Sequence, residues 1–287
     1  MRFLLLLFSL LFLTFHHSFA SIQLEGTWQG ILYQGAFENP KIIYLELKSS
    51  SGGISGFSKE EFYATSYYQL KTISGSKENN KLVIKEGASV NKKLTSSINL
   101  CNYVYELEYN DSTGYLSGSF YSTTCRNILG KACFYRSSIQ TTINHTEPLI
   151  THNWVDIFIK NLKKKRKSPE KQEEDRKNFQ FHPIYFDYDK DEIKGEYVEY
   201  LKKMAAVVDG HSDLRIKATG HTDSDGSDHY NEELSRRRAQ QIQNFFYQLG
   251  LEDFKVIIDF KGEKMPVDNN TTFEGKQRNR RVDFEFI

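Results

Sequence analysis

The sequence predicts two unlike domains. The first is all-β, built as a meander, a small barrel or a sandwich; the second is an α+β sandwich of β-α-β-α-β-β order. Three observations carry this. Between Ile22 and about Gln140, short runs rich in Tyr, Phe, Ile and Leu alternate with Gly, Ser and Asn clusters. From Phe179 onward, strand-like runs alternate with segments whose apolar residues recur at helical spacing. Between them lies "KKKRKSPEKQEEDRKN", which is almost free of apolar side chains.

Residues 1–20 stand apart from both domains. Arg2 precedes the apolar run "FLLLLFSLLFLTF", and "SFA" then supplies small residues for a cut after Ala20. The run is shorter than the ~20 apolar residues of a membrane helix. This is the pattern of a secretory signal peptide, so the chain is expected to be exported, with the mature protein starting at Ser21. No Cys follows the run to carry a lipid anchor.

Residues 21–140 offer seven candidate strands: "GTWQGILYQ", "KIIYLELK", "YYQLKTISG", "KLVIKE", "NYVYELEYN", "GYLSGSFYS" and "KACFYRS". Ile43, Leu45 and Leu47 share one face of the second. In the fifth, Tyr103, Tyr105, Leu107 and Tyr109 oppose Glu106 and Glu108. Turn clusters such as "SSSGG", "SKENN" and "NDSTG" separate the runs. Three of the seven runs are shorter than the ~9–11 residues of a transmembrane strand, none exceeds its lower end, and cysteines sit among them, which favours a water-soluble β domain. The chain holds three cysteines, Cys101, Cys125 and Cys133. Export permits a disulfide, and Cys101 with Cys125 is the expected pair, with Cys133 the alternative partner. Their spacing fits no zinc finger or ribbon, so no metal is expected.

Residues 141–178 read as a charged linker. "THNWVDIFIKNL" suits a short helix or a docking strand. The charged run after it buries too little to offset its chain entropy and is expected to act as a solvated, partly helical spacer. "KKKRK" is answered at once by "EEDR", and the whole chain carries 38 basic against 37 acidic residues. Nucleic acid is therefore not an expected partner.

In residues 179–287, "PIYFDYD" reads as a strand. "DEIKGEYVEYLKKMAAVV" reads as a helix, with Ile193, Tyr197, Leu201, Met204 and Val208 on one face. "LRIKATGHT" is a strand and "HYNEELSRRRAQQIQNFFYQLG" a helix stopped by Gly250. "FKVIIDFKG" is a strand, "FEGKQRNR" a loop or helical turn, and "RVDFEFI" a closing strand.

The separated blocks "YFDYDKDEI", "GHTDSDGSDHYNEELSRRRAQQI" and "NRRVDFEF" closely resemble the OmpA-like peptidoglycan-binding domain family. The resemblance covers about residues 179–287 and implies a non-covalent wall-binding module in the envelope of a diderm bacterium. It implies that Asp223 meets an ammonium of diaminopimelate in the stem peptide and that Arg238 meets a carboxylate of the same residue. Thr222, Asn231 and Leu234 match positions lining that pocket, and Arg281 matches the second Arg of the Asn-Arg-Arg-Val block. The chemistry of the residues agrees: a zwitterionic centre calls for one fixed anion and one fixed cation, and the planar Arg fork suits a carboxylate.

No Ser or Cys has a recognisable His partner motif, and no metal-ligand pair such as H-E-x-x-H occurs, so neither an enzyme nor a cofactor is expected. The first domain is expected to supply a second attachment, to the outer membrane or an envelope protein. A different reading makes it a lipocalin-like small-ligand carrier, suggested by the opening "GTW", with the wall module for retention. Either way the location is periplasmic or outer-membrane-associated.

Overall fold

The computed structural model describes residues 24–50, 53–78, 81–96, 98, 100–137 and 152–287. The signal-like segment 1–20 and residues 141–151 of the linker lie outside the described residues.

The first domain is a closed barrel of eight strands: β1 (Gly26–Gln34), β2 (Glu38–Ser50), β3 (Gly53–Glu61), β4 (Tyr68–Glu78), β5 (Lys81–Lys93), β6 (Tyr103–Asn110), β7 (Tyr115–Ser122) and β8 (Leu129–Arg136). Each strand pairs antiparallel with the next, and β1 closes onto β8 from Trp28↔Arg136 to Tyr33↔Lys131. The sequence shows seven of these strands and hides β3. That strand carries Gly53 and Gly56 and buries Lys59, Glu60 and Glu61, so it lacks the apolar alternation that marks a strand. Its presence settles the architecture. In an up-and-down meander an odd last strand runs parallel to the first, whereas an even one returns antiparallel and can close the ladder.

The barrel interior is filled by Trp28, Leu32, Ile43, Leu45, Leu82, Ile84, Tyr103, Tyr105, Leu116, Phe120 and Phe134. Eight strands leave a bore just wide enough for such side chains. These residues occupy the space that the small-ligand-carrier reading requires. Lys81, Lys85, Glu106, Glu108 and Lys131 face outward and are exposed. A transmembrane barrel has the opposite polarity, with an apolar outer band. One polar knot is buried beside the aromatic core. Lys71 Nζ lies 2.6 Å from Glu86 Oε2, and Glu86 also accepts from Ser58 Oγ (2.7 Å), Tyr105 Oη (2.7 Å) and the Tyr103 amide (3.0 Å).

Cys101 and Cys125 form a disulfide with a Cα–Cα separation of 5.5 Å, which ties the approach to β6 to the β7–β8 turn. Cys133 is a buried free thiol, and burial pushes its pKa up to about 12. Thiolate is the reactive form. The native protein should therefore resist a thiol reagent at neutral pH and yield one labelled cysteine, Cys133, only after unreduced denaturation. Labelling of all three cysteines without a reductant would contradict the pairing.

The expected spacer is instead two packed helices, α1 (Asn153–Lys163) and α2 (Pro169–Asn178). Val155 and Phe158 of α1 are buried against Ile31, Ile42, Tyr44, Leu70, Tyr115 and Tyr135 on one flank of the barrel. Trp154 Nε1 donates to Tyr44 Oη at 3.2 Å, and buried His152 meets Glu61 at 2.9 Å. The packed unit thus continues past residue 140. Averaged over the segment, the composition is polar; the few apolar residues of α1 fall on one face, and that face is enough to dock it.

Polar contacts hold α2. Ser168 caps it, with Pro169 at its first position. The Ser168 amide donates to Thr113 O at 2.7 Å, and Tyr115 Oη donates to Lys167 O at 3.0 Å. A Cβ on Gly114, whose φ is +73°, would lie 2.2 Å from Ser168 Oγ, so this approach needs glycine. On the other side Arg166 Nε donates to Asp209 Oδ2 at 2.7 Å. The charged run solvates its outer face and bonds on two sides.

Asp209 belongs to α3 (Val198–Gly210) of the second domain, which a 3₁₀ turn (Gly195–Tyr197) precedes. The other elements are β9 (Ile184–Tyr185), β10 (Ile216–Gly220), α4 (Asp228–Gln248), β11 (Val256–Phe260), α5 (Phe273–Asn279) and β12 (Arg281–Phe286). The sheet order is β11-β10-β12-β9, with β10 parallel to β11 and antiparallel to β12. Helices α3 and α4 close the core over Ile184, Phe186, Leu201, Met204, Val208, Ile216, Ala218, Ile242, Phe246, Val282 and Phe284. The strand expected from "PIYFDYD" shrinks to Ile184–Tyr185, because the chain then turns to present its carbonyls to α4.

Candidate functional site

Strand β10 ends at Gly220, where an added Cβ would lie 2.0 Å from Ser235 O. Glycine here lets α4 lie directly against the strand end. The chain then forms a loop, 221–227, across the carboxyl edge of the sheet. The Thr222 amide donates to Gly262 O at 2.9 Å, and Ser227 caps α4 by accepting from the Tyr230 amide at 3.3 Å. Both loop ends are thus fixed, and Asp223 sits between them.

Asp223 is not the exposed carboxylate its acidic loop suggests. It is 4% exposed. Its Oδ1 accepts from the Asp225 amide at 3.2 Å, and its Oδ2 accepts from Arg280 Nη1 at 2.6 Å. Arg280 is equally buried and also donates to Gln277. Arg238 is fully buried on α4 and does not bond Asp223 directly. Its fork donates to the carbonyls of Lys190 (2.8 Å), His221 (2.8 Å) and Asp187 (3.2 Å), over the ring of Phe186. Burial lowers the Arg238 pKa to about 10, with nearby Asp223 opposing the shift, so the group is still a cation at neutral pH. The arrangement is one carboxylate between two guanidiniums.

The other expected residues divide. Thr222, Asn231 and Leu234 are buried beside the loop. Asn231 donates to Glu263, while its Oδ1 and Thr222 Oγ1 are buried with no partner among the described residues. Arg281 belongs to a separate cluster. Its Nε donates to both oxygens of Asp283, at 3.1 and 2.9 Å, and its Nη2 to Met265 O at 3.3 Å. His221 joins it, 3.3 Å from Asp283. Burial raises the Asp283 pKa, but the bonds from His221 and Arg281 outweigh it and the net shift is downward.

The sequence named Arg281 of "NRR" as a residue near the site; in the structure its neighbour Arg280 is the one that bonds Asp223. Arg280 is the cap residue that follows α5 and turns toward Asp223, whereas Arg281 begins β12. The adjacent "NRR" letters gave the only signal, and choosing between them needs the exact residue where the helix gives way to the strand.

A cleft of about 290 Å³ opens beside Arg280, lined by Tyr188, Asp225, Thr271, Thr272, Phe273, Lys276 and Arg280. Lys276 Nζ lies 2.6 Å from Asp225 Oδ1 at its wall. Nothing in the sequence singled out Lys276 or Phe273.

A family model described as the OmpA family matches residues 185–280, a span that contains Asp223, Arg238 and Arg280. The C-terminal domain matches the OmpA family. Outer membrane protein A of Bordetella avium is 35% identical to the chain over 103 residues, 36% of this chain and 53% of that protein. The peptidoglycan-associated lipoprotein of Pasteurella multocida is 29% identical over 102 residues, 36% of this chain and 68% of that protein. Among solved structures, the peptidoglycan-associated lipoprotein from Burkholderia pseudomallei matches at 27% identity and a TM-score of 0.36, covering 37% of this chain and 89% of that one. The chain thus spans about half the length of the Bordetella relative. The barrel precedes the residues that the OmpA family model matches.

Proposed function

We propose that the OmpA-family domain holds cell-wall peptidoglycan without covalent bonds, by gripping the ammonium–carboxylate centre of diaminopimelate in the stem peptide. The chain is an exported protein of the envelope, periplasmic or outer-membrane-associated, and is not an enzyme. The observation that carries the binding reading is the sequestered Asp223 between Arg238 and Arg280 at the end of β10. A ligand ammonium can replace one Arg280 bond at Asp223, and the ligand carboxylate can take donors of the Arg238 fork that its carbonyl partners leave unspent. Such charge-assisted bonds contribute about 1.5–3 kcal/mol each, the scale of reversible binding. The name of the Pasteurella relative, a peptidoglycan-associated lipoprotein, supports the same reading.

The barrel, with charges on its outer strands and a filled interior, is proposed to be the second contact, to an envelope protein or the outer-membrane surface. Because α1 and α2 touch both domains, it is expected to be held close to the wall module rather than on a loose tether.

The test is sedimentation with purified sacculi. Arg238→Lys keeps the charge and loses the fork, and should bind at least tenfold more weakly; because the fork also holds the carbonyls of Lys190, His221 and Asp187, its unfolding temperature should fall too, and binding is compared at a temperature where circular dichroism shows the variant folded. Arg281→Lys, in the neighbouring cluster, should bind nearly as wild type does. Undiminished sedimentation of Arg238→Lys would sink the assignment.

A further inference from the structure

The buried charges of the site do not balance. Asp223, Arg238 and Arg280 are each at most 4% exposed, so one anion is sequestered with two cations. The zwitterionic centre of diaminopimelate adds one charge of each sign and leaves the excess unchanged. The more exposed Asp187 and Asp191 offset part of this excess, and a second carboxylate at the site would remove the rest.

The structure also shows where such a carboxylate can reach. Arg280 Nε is buried and has no acceptor among the described residues. Arg280 also lines the cleft of about 290 Å³, together with Lys276. Lys276 is paired with Asp225 and Arg280 with Asp223, so the single surplus cation of the cluster reaches the cleft through Arg280. Tyr188 and Phe273, 62% and 77% exposed, line the same cleft. Aromatic side chains of this size can cover a bound chain, exclude water and strengthen a charge contact beneath them. The volume suits one residue-sized group and sits at the lower limit of ordinary ligand pockets, about 300 Å³.

We propose that this cleft is a second anion subsite, which takes the free carboxylate of the acidic residue adjoining diaminopimelate in the stem peptide. The inference rests on the wall-binding reading above. In the stem, that glutamate is linked through its side-chain carboxyl, which leaves its α-carboxylate free and one residue away from the diaminopimelate. Arg280 and Lys276 are its cations, and Tyr188 and Phe273 flank its aliphatic part. The domain then distinguishes stems whose glutamate carboxylate is free from stems in which it is amidated.

Calorimetry on the full chain with three soluble probes tests this: diaminopimelate, the Ala-γ-Glu-diaminopimelate tripeptide, and the same tripeptide amidated at the glutamate carboxylate. The acid tripeptide should bind about tenfold or more tightly than the amide, the scale of one charge-assisted contact. Lys276→Met and Phe273→Ser, both at accessible positions, should each shrink that ratio. Equal affinity of the two tripeptides, with diaminopimelate still bound, overturns the subsite alone. If the folded protein binds none of the three, the wall-binding reading falls with it.

Discussion

Replacing Asp223 with Ala is expected to release the chain from purified sacculi and to lower its unfolding free energy by about 3–5 kcal/mol, the usual cost of breaking a buried ion pair. The two effects have one cause. Asp223 is the only carboxylate bonded to Arg280 among the described residues, and its removal leaves that guanidinium beside buried Arg238 with no anion between them. The Asp225 amide loses its acceptor as well. Asp223→Asn should fall between: its carbonyl can still accept from the Asp225 amide, but the fixed charge is gone. Denaturant titration gives the stability and sedimentation gives the binding. A mutant that matches wild type in both would show that the pair is incidental to site and fold alike.

Glu86→Ala is expected to unfold the barrel. Glu86 accepts from Lys71, Ser58, Tyr105 and the Tyr103 amide, all in the interior. Its loss strands a buried ammonium, at about 3–5 kcal/mol, and leaves further donors unsatisfied at about 1–3 kcal/mol each. Together these rival the entire stability of an ordinary domain, about 5–15 kcal/mol. The control is the double replacement Lys71→Met with Glu86→Leu, which removes both charges and should recover much of the loss, since a well-packed apolar pair often matches a buried ion pair. Near-ultraviolet circular dichroism follows the barrel through buried Trp28. If the single and double replacements are equally damaging, the knot acts through its volume and shape and not its charge.

Local signals in the sequence were reliable where one short segment decides the outcome. Alternation along β2 and β6 placed Leu45 and Tyr105 in the interior, and Gly250, at φ +89°, stops α4 as expected. The blocks around Asp223 and Arg238 identified the second domain, and both residues lie at the end of β10 or facing it from α4. Signals failed where burial is polar. β3 buries Lys59, Glu60 and Glu61, and so resembles a surface loop when read alone. The charged run after α1 looked solvated from its composition, although polar bonds from Ser168 to Thr113 and from Arg166 to Asp209 hold it on two sides.

By itself the sequence determined the periods of its strands and helices, the turns and caps that separate them, and the presence of an acid and a base at the spacing of one loop and one helical stretch. Those depend on steric preferences and contacts among residues a few positions apart. Tertiary structure alone decided that the meander closes, that α1 covers the barrel flank, and that Arg280 rather than Arg281 meets Asp223 across 57 positions of chain. The reason is geometric. Stepping from Arg280, the cap residue just after α5, to Arg281, the first of β12, turns the side chain from one cluster to another, and no local preference records which buried charge waits there.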